Sequence, residues 1–122
     1  MGDAAAAGPA LTPAAFHILL ALAAGERHGY GIMREVEALT DGRVRLGPGT
    51  LYRTLQRLLA DGLIAESEER PDPALDDERR RYYRLTARGG RLAAAEAERL
   101  ARLVDVARSR RVLAPAPASE GR

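Results

Sequence analysis

The chain has 122 residues, a net charge of +2, and neither cysteine nor lysine. That length suits one domain with a modest core, and the lack of cysteine excludes disulfides, thiolate metal sites and cysteine nucleophiles. No apolar run reaches the roughly 20 residues of a membrane-spanning helix, and no charged start precedes an apolar core, so a cytoplasmic protein without membrane contact is expected.

The modest net charge hides an uneven distribution. Residues 43–57 carry Arg43, Arg45, Arg53 and Arg57 with no acid, and residues 79–91 carry Arg79, Arg80, Arg81, Arg84, Arg88 and Arg91, again with none. Between them lie Asp61, Glu66, Glu68, Glu69, Asp72, Asp76, Asp77 and Glu78 against Arg70 alone. Acid-free arginine blocks are the footprint of phosphate contacts, because each neutralised phosphate releases condensed counterions. The use of arginine throughout, with abundant alanine, also reflects G+C-rich coding.

Residues 1–11 are small and apolar, a tail too simple to pack. Thr12-Pro13 reads as a helix start, with a capping hydroxyl and proline in the first turn. The helix that follows, residues 14–24, is apolar nearly all round, so it should be mostly buried; Gly25 ends it. Its lone polar residue, His17, is expected at a boundary rather than on a metal. His28-Gly29-Tyr30-Gly31 opens a second helix, in which Ile32, Val36 and Leu39 form the apolar stripe. Thr40-Asp41-Gly42 stops it, and Val44 and Leu46 then suit either a very short strand or an extended linker.

A third helix begins with Gly47 at the cap and Pro48 at its first position. Leu51, Leu55, Leu58 and Leu59 fall on one side at the spacing of a buried face. Thr50, Arg53, Gln56 and Arg57 fall on the other. Asp61-Gly62 closes the helix. The period then changes: residues 63–68 suit a strand, 71–78 a loop, and 80–85 a return strand with Arg80, Tyr82 and Arg84 on one face and Arg81, Tyr83 and Leu85 on the other. Three helices followed by a two-stranded hairpin is the order of a winged helix-turn-helix, mainly α with a small β-hairpin wing, spanning residues 12–86.

Thr86 caps a last helix expected over 87–112. Leu92, Ala93, Ala97, Leu100, Leu103, Val104 and Ala107 make its apolar stripe, with Glu96 inside it and in need of an arginine. A small domain can hardly cover so long a stripe, so a homodimer joined by Leu92, Leu100, Leu103, Val104 and Ala107 is expected; the competing arrangement folds the helix back on its own domain. Residues 113–122 read as a disordered tail.

With these motifs placed, the chain resembles the PadR family of transcriptional regulators. The resemblance rests on His28-Gly29-Tyr30-Gly31-Ile32, on Pro48-Gly49-Thr50-Leu51-Tyr52-Arg53-Thr54-Leu55-Gln56-Arg57-Leu58, on Gly62-Leu63-Ile64, and on Arg80-Arg81-Tyr82-Tyr83-Arg84-Leu85-Thr86 with Gly89. It covers roughly residues 12–105. It implies a winged-helix dimer, joined through its C-terminal helix, that represses from palindromic operators and in many members is released by a small-molecule effector. Two departures stand out: Gly47 replaces a frequent capping serine, and the last helix has no aromatic residue with which to sandwich a flat drug.

The expected DNA face comprises Tyr30, Gly49, Thr50, Tyr52, Arg53, Gln56, Arg57, Arg79 and Arg80. Arg53 suits guanine O6 and N7, and Gln56 suits adenine. Thr50 and Tyr30 suit phosphates, Arg57 the backbone, and Arg79 and Arg80 phosphates or the minor groove. Tyr52 is shared between packing and phosphate. Arg81 is expected in an ion pair. Two histidines and serines only at 67, 109 and 119 form no nucleophile–base pair, so neither an enzyme nor a cofactor or metal site is expected. The alternative to a DNA-binding regulator is a helical protein-interaction adaptor.

Overall fold

The computed structural model describes residues 11–67 and 81–116. The chain runs α1 (Pro13–Ala23), β1 (Arg27–His28), α2 (Gly29–Leu39), α3 (Pro48–Ala60), β2 (Ile64–Glu66), β3 (Tyr82–Leu85) and α4 (Ala87–Ser109). This is the winged helix-turn-helix order. The expected termini, the acidic loop at 72–78, Arg79 and Arg80 lie outside the described residues, apart from residues 11 and 113–116.

Local chemistry sets the helix starts. The Thr12 hydroxyl accepts the Ala15 N–H at 3.1 Å, with Pro13 in the first turn of α1. Thr86 does the same for α4, accepting from Gly89 at 3.0 Å. Gly47 offers no side chain, so α3 begins without a side-chain cap and relies on Pro48, whose fixed φ is already helical. The cap of α2 is His28, whose Nδ1 accepts the Gly31 N–H at 3.0 Å.

One core holds these elements together. Ile18, Leu19 and Ala21 of α1, Ile32 and Val36 of α2, Leu51, Leu55 and Leu58 of α3, and Leu63, Ile64, Tyr83 and Ala93 are buried in a single cluster. Each fully buried leucine or isoleucine contributes about 1.5–3 kcal/mol. Among the described residues no buried side-chain polar atom lacks a partner. His17 stays at the boundary, half-buried, with its Nδ1 2.6 Å from the Pro13 carbonyl.

Three details differ from the sequence reading, and a fourth decides a choice that it left open. The sheet has three antiparallel strands in the order β1-β3-β2, because Arg27 and His28 pair with Tyr83 and Tyr82 on the edge of β3 that β2 leaves open. Leu39 does not complete the α2 stripe and is 49% exposed, since it sits on the last turn, past the point where α2 leaves the core. Residues 43–47 form the extended linker, one of the two arrangements expected for Val44 and Leu46. Finally, α4 ends at Ser109, where Arg111 takes a left-handed φ of 62° and Val112 and Leu113 donate back to the Ala107 carbonyl. That return is a helix-ending turn.

The junction of α3 with α4 is tight. Thr86 donates its hydroxyl to the Gly62 carbonyl at 2.8 Å, Arg88 Nε donates to the Asp61 carbonyl at 3.1 Å, and the Thr86 N–H donates to Leu63 at 3.1 Å. Gly89 lies against the Leu63 backbone so closely that a Cβ there would collide with the Leu63 carbonyl oxygen. These contacts fix where α4 leaves the domain. Beyond Ala93 it has little to lean on: Leu103 is 52% and Val104 40% exposed.

Candidate nucleic-acid interface

Helix α3 divides cleanly into two faces. Leu51, Leu55 and Leu58 are buried to 2% exposure or less, anchoring it over α1 and β2. Gly49, Thr50, Arg53, Gln56 and Arg57 are all exposed on the opposite side. Among the described residues, Arg53, Gln56 and Arg57 take part in no ion pair or side-chain hydrogen bond. Two guanidiniums and a carboxamide thus stand in solvent with every donor free, on a helix that the core holds rigidly.

The flanks of that face meet different surroundings. On one side Tyr52 is half-buried and lays its hydroxyl over Gly29, at the start of α2. The structure therefore gives Tyr52 a packing role. On the other side Arg53, Thr54 and Arg57 border an open groove of about 630 Å³, whose floor is Leu11, Ala15, Leu58 and Leu63. The Thr54 hydroxyl donates to the Thr50 carbonyl at 2.7 Å, so it is occupied within the helix.

The remaining described arginines of the two basic blocks are only partly free. Arg81 pairs with Glu66 at 2.9 Å across the sheet, the ion pair its strand face led us to expect. Arg45 pairs with Glu37 at 3.0 Å, and Arg88 is held by the α3 terminus. Arg84 is exposed on β3. Charge density alone therefore overstates the available phosphate contacts, because sequence spacing cannot show which guanidiniums are already paired.

A cluster beside α3 escaped the sequence reading. The His28 ring stacks on Tyr30 at 6.3 Å between centroids and meets Tyr82 edge-on at 5.3 Å. Arg34 stands 5.7 Å from the centre of the Tyr30 ring. The signal was present in His28 preceding Gly29, with Gly31 three residues on, but histidine is an uncommon cap and its spacing to Tyr82 is nonlocal. Tyr30 itself is 56% exposed.

On α4, Leu92 is half-buried against the core, while Leu100 and Ala107 are partly exposed and Leu103 and Val104 more so. Glu96 finds its arginine one turn on: Arg99 donates through Nε at 3.0 Å and through a terminal nitrogen at 2.6 Å. That hydrogen bonding holds the Glu96 carboxyl below the usual glutamate range and raises Arg99 above its own. Among the described residues no group of acids and histidines could hold a metal, and no helix is long and apolar enough to cross a membrane.

Three helices, a three-stranded wing and an outward cationic helix define a winged-helix DNA-binding regulator. The family model "Transcriptional regulator PadR-like family" matches residues 18–95, well over half the chain. The chain belongs to that family. It is 45% identical over 83 residues to the transcriptional regulator Rv3488 of Mycobacterium tuberculosis, covering 68% of this chain and 70% of the relative. It is also 41% identical over 86 residues, 70% of this chain, to an uncharacterised 37.1 kDa protein in transposon TN4556 of Streptomyces fradiae, of whose length it spans only 22%. The crystal structure of a PadR family transcription regulator from Clostridium difficile superposes with a TM-score of 0.65 at 21% identity, covering 80% of this chain and 97% of the other; at that identity it speaks to the fold alone. The family is one of transcriptional regulators, which sets aside both enzyme and adaptor.

Proposed function

We propose that the protein acts in the cytoplasm as a homodimeric repressor on a palindromic operator, with α3 in the major groove. The observation that carries this is the α3 face on which Arg53, Gln56 and Arg57 are exposed without partners among the described residues while the leucines behind them are buried. Rigid support matters because a base-reading side chain discriminates only if its helix cannot shift. Arg53 presents two parallel donors to guanine and Gln56 a donor–acceptor pair to adenine. Arg57, Thr50, Gly49 and Tyr30 lie at the edges of the face and take backbone contacts. Arg79 and Arg80 extend the contact from the wing.

The dimer reading is supported by α4. Its 23 residues span about 34 Å, yet only Gly89 and Ala93 of it are buried. Leu100, Leu103, Val104 and Ala107 then offer a second copy an apolar stripe at coiled-coil spacing. The Glu96–Arg99 pair brings its own neutralisation into that stripe. Because α4 contains no aromatic residue, a flat drug held between aromatic side chains forms no part of this reading.

Selection of bound sequences from a random DNA pool tests both halves. A two-fold symmetric consensus is expected, with half-sites one helical turn apart or a multiple of it. Asymmetric single sites would remove the dimer. Within the consensus, Arg53→Ala should cost about 1–3 kcal/mol per half-site and relax preference at one position in each. If Arg53→Ala and Gln56→Ala selected the same sequences with the parent's affinity, α3 would not be the reading element.

A further inference from the structure

We propose that Tyr30, Arg34 and Tyr82 form a second DNA-contact ridge, preassembled by His28, that binds the sugar–phosphate backbone beside the groove entered by α3. The proposal rests on the placement of α3 in DNA and extends the backbone contact proposed for Tyr30 to Arg34 and Tyr82, which that placement does not require.

Four observations converge on it. Position comes first: Tyr52 of α3 packs on Gly29, so the start of α2 lies against α3, and the exposed Tyr30 is the next residue along. Arg34, one turn further, is exposed, faces Tyr30 at 5.7 Å and has no acidic partner among the described residues. Its charge is therefore available, whereas Arg27, Arg45 and Arg81 are each held by a glutamate. Third, Tyr82 opens strand β3 and is joined to the same cluster through its edge contact with His28. Two phenolic hydroxyls and a guanidinium are the donor set that phosphate oxygens take.

The fourth observation concerns how these groups are held. His28 belongs to three elements at once: its backbone pairs with Tyr82 in the sheet, its Nδ1 caps α2, and its ring contacts both tyrosines. To accept the Gly31 N–H, Nδ1 must be unprotonated, so the remaining ring proton sits on Nε2. The ring is thereby fixed in one orientation, wedged between the α2 residue and the wing residue. His28 is a positioning residue: it makes the distance between Tyr30 and Tyr82 a property of the folded protein rather than of the bound complex. Preorganisation of this kind lowers the ordering cost of binding.

The ridge and the reading face of α3 predict different behaviour. Arg34→Ala should weaken binding to operator and unrelated DNA by the same factor and lower the slope of log affinity against log salt by about 0.9 per protomer, about 1.8 for the dimer, leaving the selected sequence unchanged. Arg34 is exposed and unpaired with any acid, so this variant should fold. His28→Asn keeps a cap-competent side chain but removes both ring contacts; it should weaken binding severalfold on all sequences while preserving the parent's salt slope. Tyr82→Leu should weaken binding by a similar factor, and the His28→Asn/Tyr82→Leu double variant should lose little more than either single variant.

Titrations of a fluorescent operator duplex and a scrambled duplex at four salt concentrations read all of these effects, with thermal melts confirming that each variant is folded. An Arg34→Ala variant with the parent's affinity and slope would overturn the ridge. So would a folded His28→Asn variant indistinguishable from the parent, or additive losses in the double variant. Should the parent itself bind neither duplex, the placement of α3 in DNA fails first, a result distinct from loss of the ridge alone.

Discussion

The Tyr52 hydroxyl occupies the space where a side chain at residue 29 would begin: a Cβ built on Gly29 would stand 2.5 Å from Tyr52 Oη and 3.1 Å from Cζ. Glycine at 29 is thus the condition for α2 and α3 to meet at their N-terminal ends. Gly29→Ala should destabilise the fold by about 1–3 kcal/mol, the usual cost of overpacking. Tyr52→Phe removes the clashing oxygen and should recover much of that loss in the double variant. Urea denaturation of the four members of the cycle measures the coupling; strictly additive effects would show that the two residues do not contend for the same space.

Two adjacent glycines in α4 should respond in opposite ways to substitution. A Cβ at Gly89 would run into the Leu63 carbonyl oxygen and approach Leu85 Cδ1 at 2.9 Å, whereas one at Gly90 would meet only Leu85 Cδ2 at 3.8 Å. Backbone cannot swing aside as a flexible side chain can, so Gly89→Ala should displace the start of α4 and cost more than Gly29→Ala. Gly90→Ala makes an ordinary contact and replaces a helical glycine, which favours the folded state by up to about 1 kcal/mol. Opposite shifts in melting temperature for the two variants are expected; equal shifts would mean that α4 does not sit on Leu63.

Helical periodicity made much of this architecture legible. The leucine spacing of α3 identified its buried face, and Thr12, Thr86 and Pro48 identified helix starts, because caps and amphipathic stripes are local signals. What escaped was nonlocal or atypical. Strand β1 has two residues, too few to show a period, and exists because β3 has an open edge. The burial of Leu39 depended on where α2 leaves the core, which spacing alone does not report. Arg99 was a readable partner for Glu96 at i+3, but the stripe drew attention to the acid alone. At the interface, α3 was readable as a cationic face, while the join of His28 to Tyr82 across more than 50 residues was not.

The Glu96–Arg99 pair supplies a pH-dependent prediction. The carboxyl is held below the usual glutamate range chiefly by its hydrogen bond to Arg99, which outweighs an opposing effect of desolvation, with a lesser lowering from the charge of the guanidinium. A lowered folded-state value means that the stabilisation is present above the unfolded value and disappears as pH falls through the folded one. Arg99→Ala should return the Glu96 carboxyl towards its ordinary titration, followed by NMR of its side-chain carbon. A Glu96 resonance titrating identically in parent and variant would show that the pair does not form in solution.

Gly49 supplies the last prediction, because stability and binding should move in opposite directions there. It lies in the first turn of α3, is exposed, and has nothing within 4 Å of a Cβ built on it. Alanine at this position costs the protein no contact and removes the backbone freedom that glycine brings to the unfolded chain. Gly49→Ala should therefore raise stability by up to about 1 kcal/mol. A DNA backbone approaching the start of α3 would meet the added methyl group, so the same variant should bind operator and unrelated DNA more weakly than the parent. Paired melting and fluorescence titrations separate these effects. A stabilised variant with undiminished affinity would move the DNA backbone away from Gly49 and leave contact to the later part of the helix, at Arg53, Gln56 and Arg57.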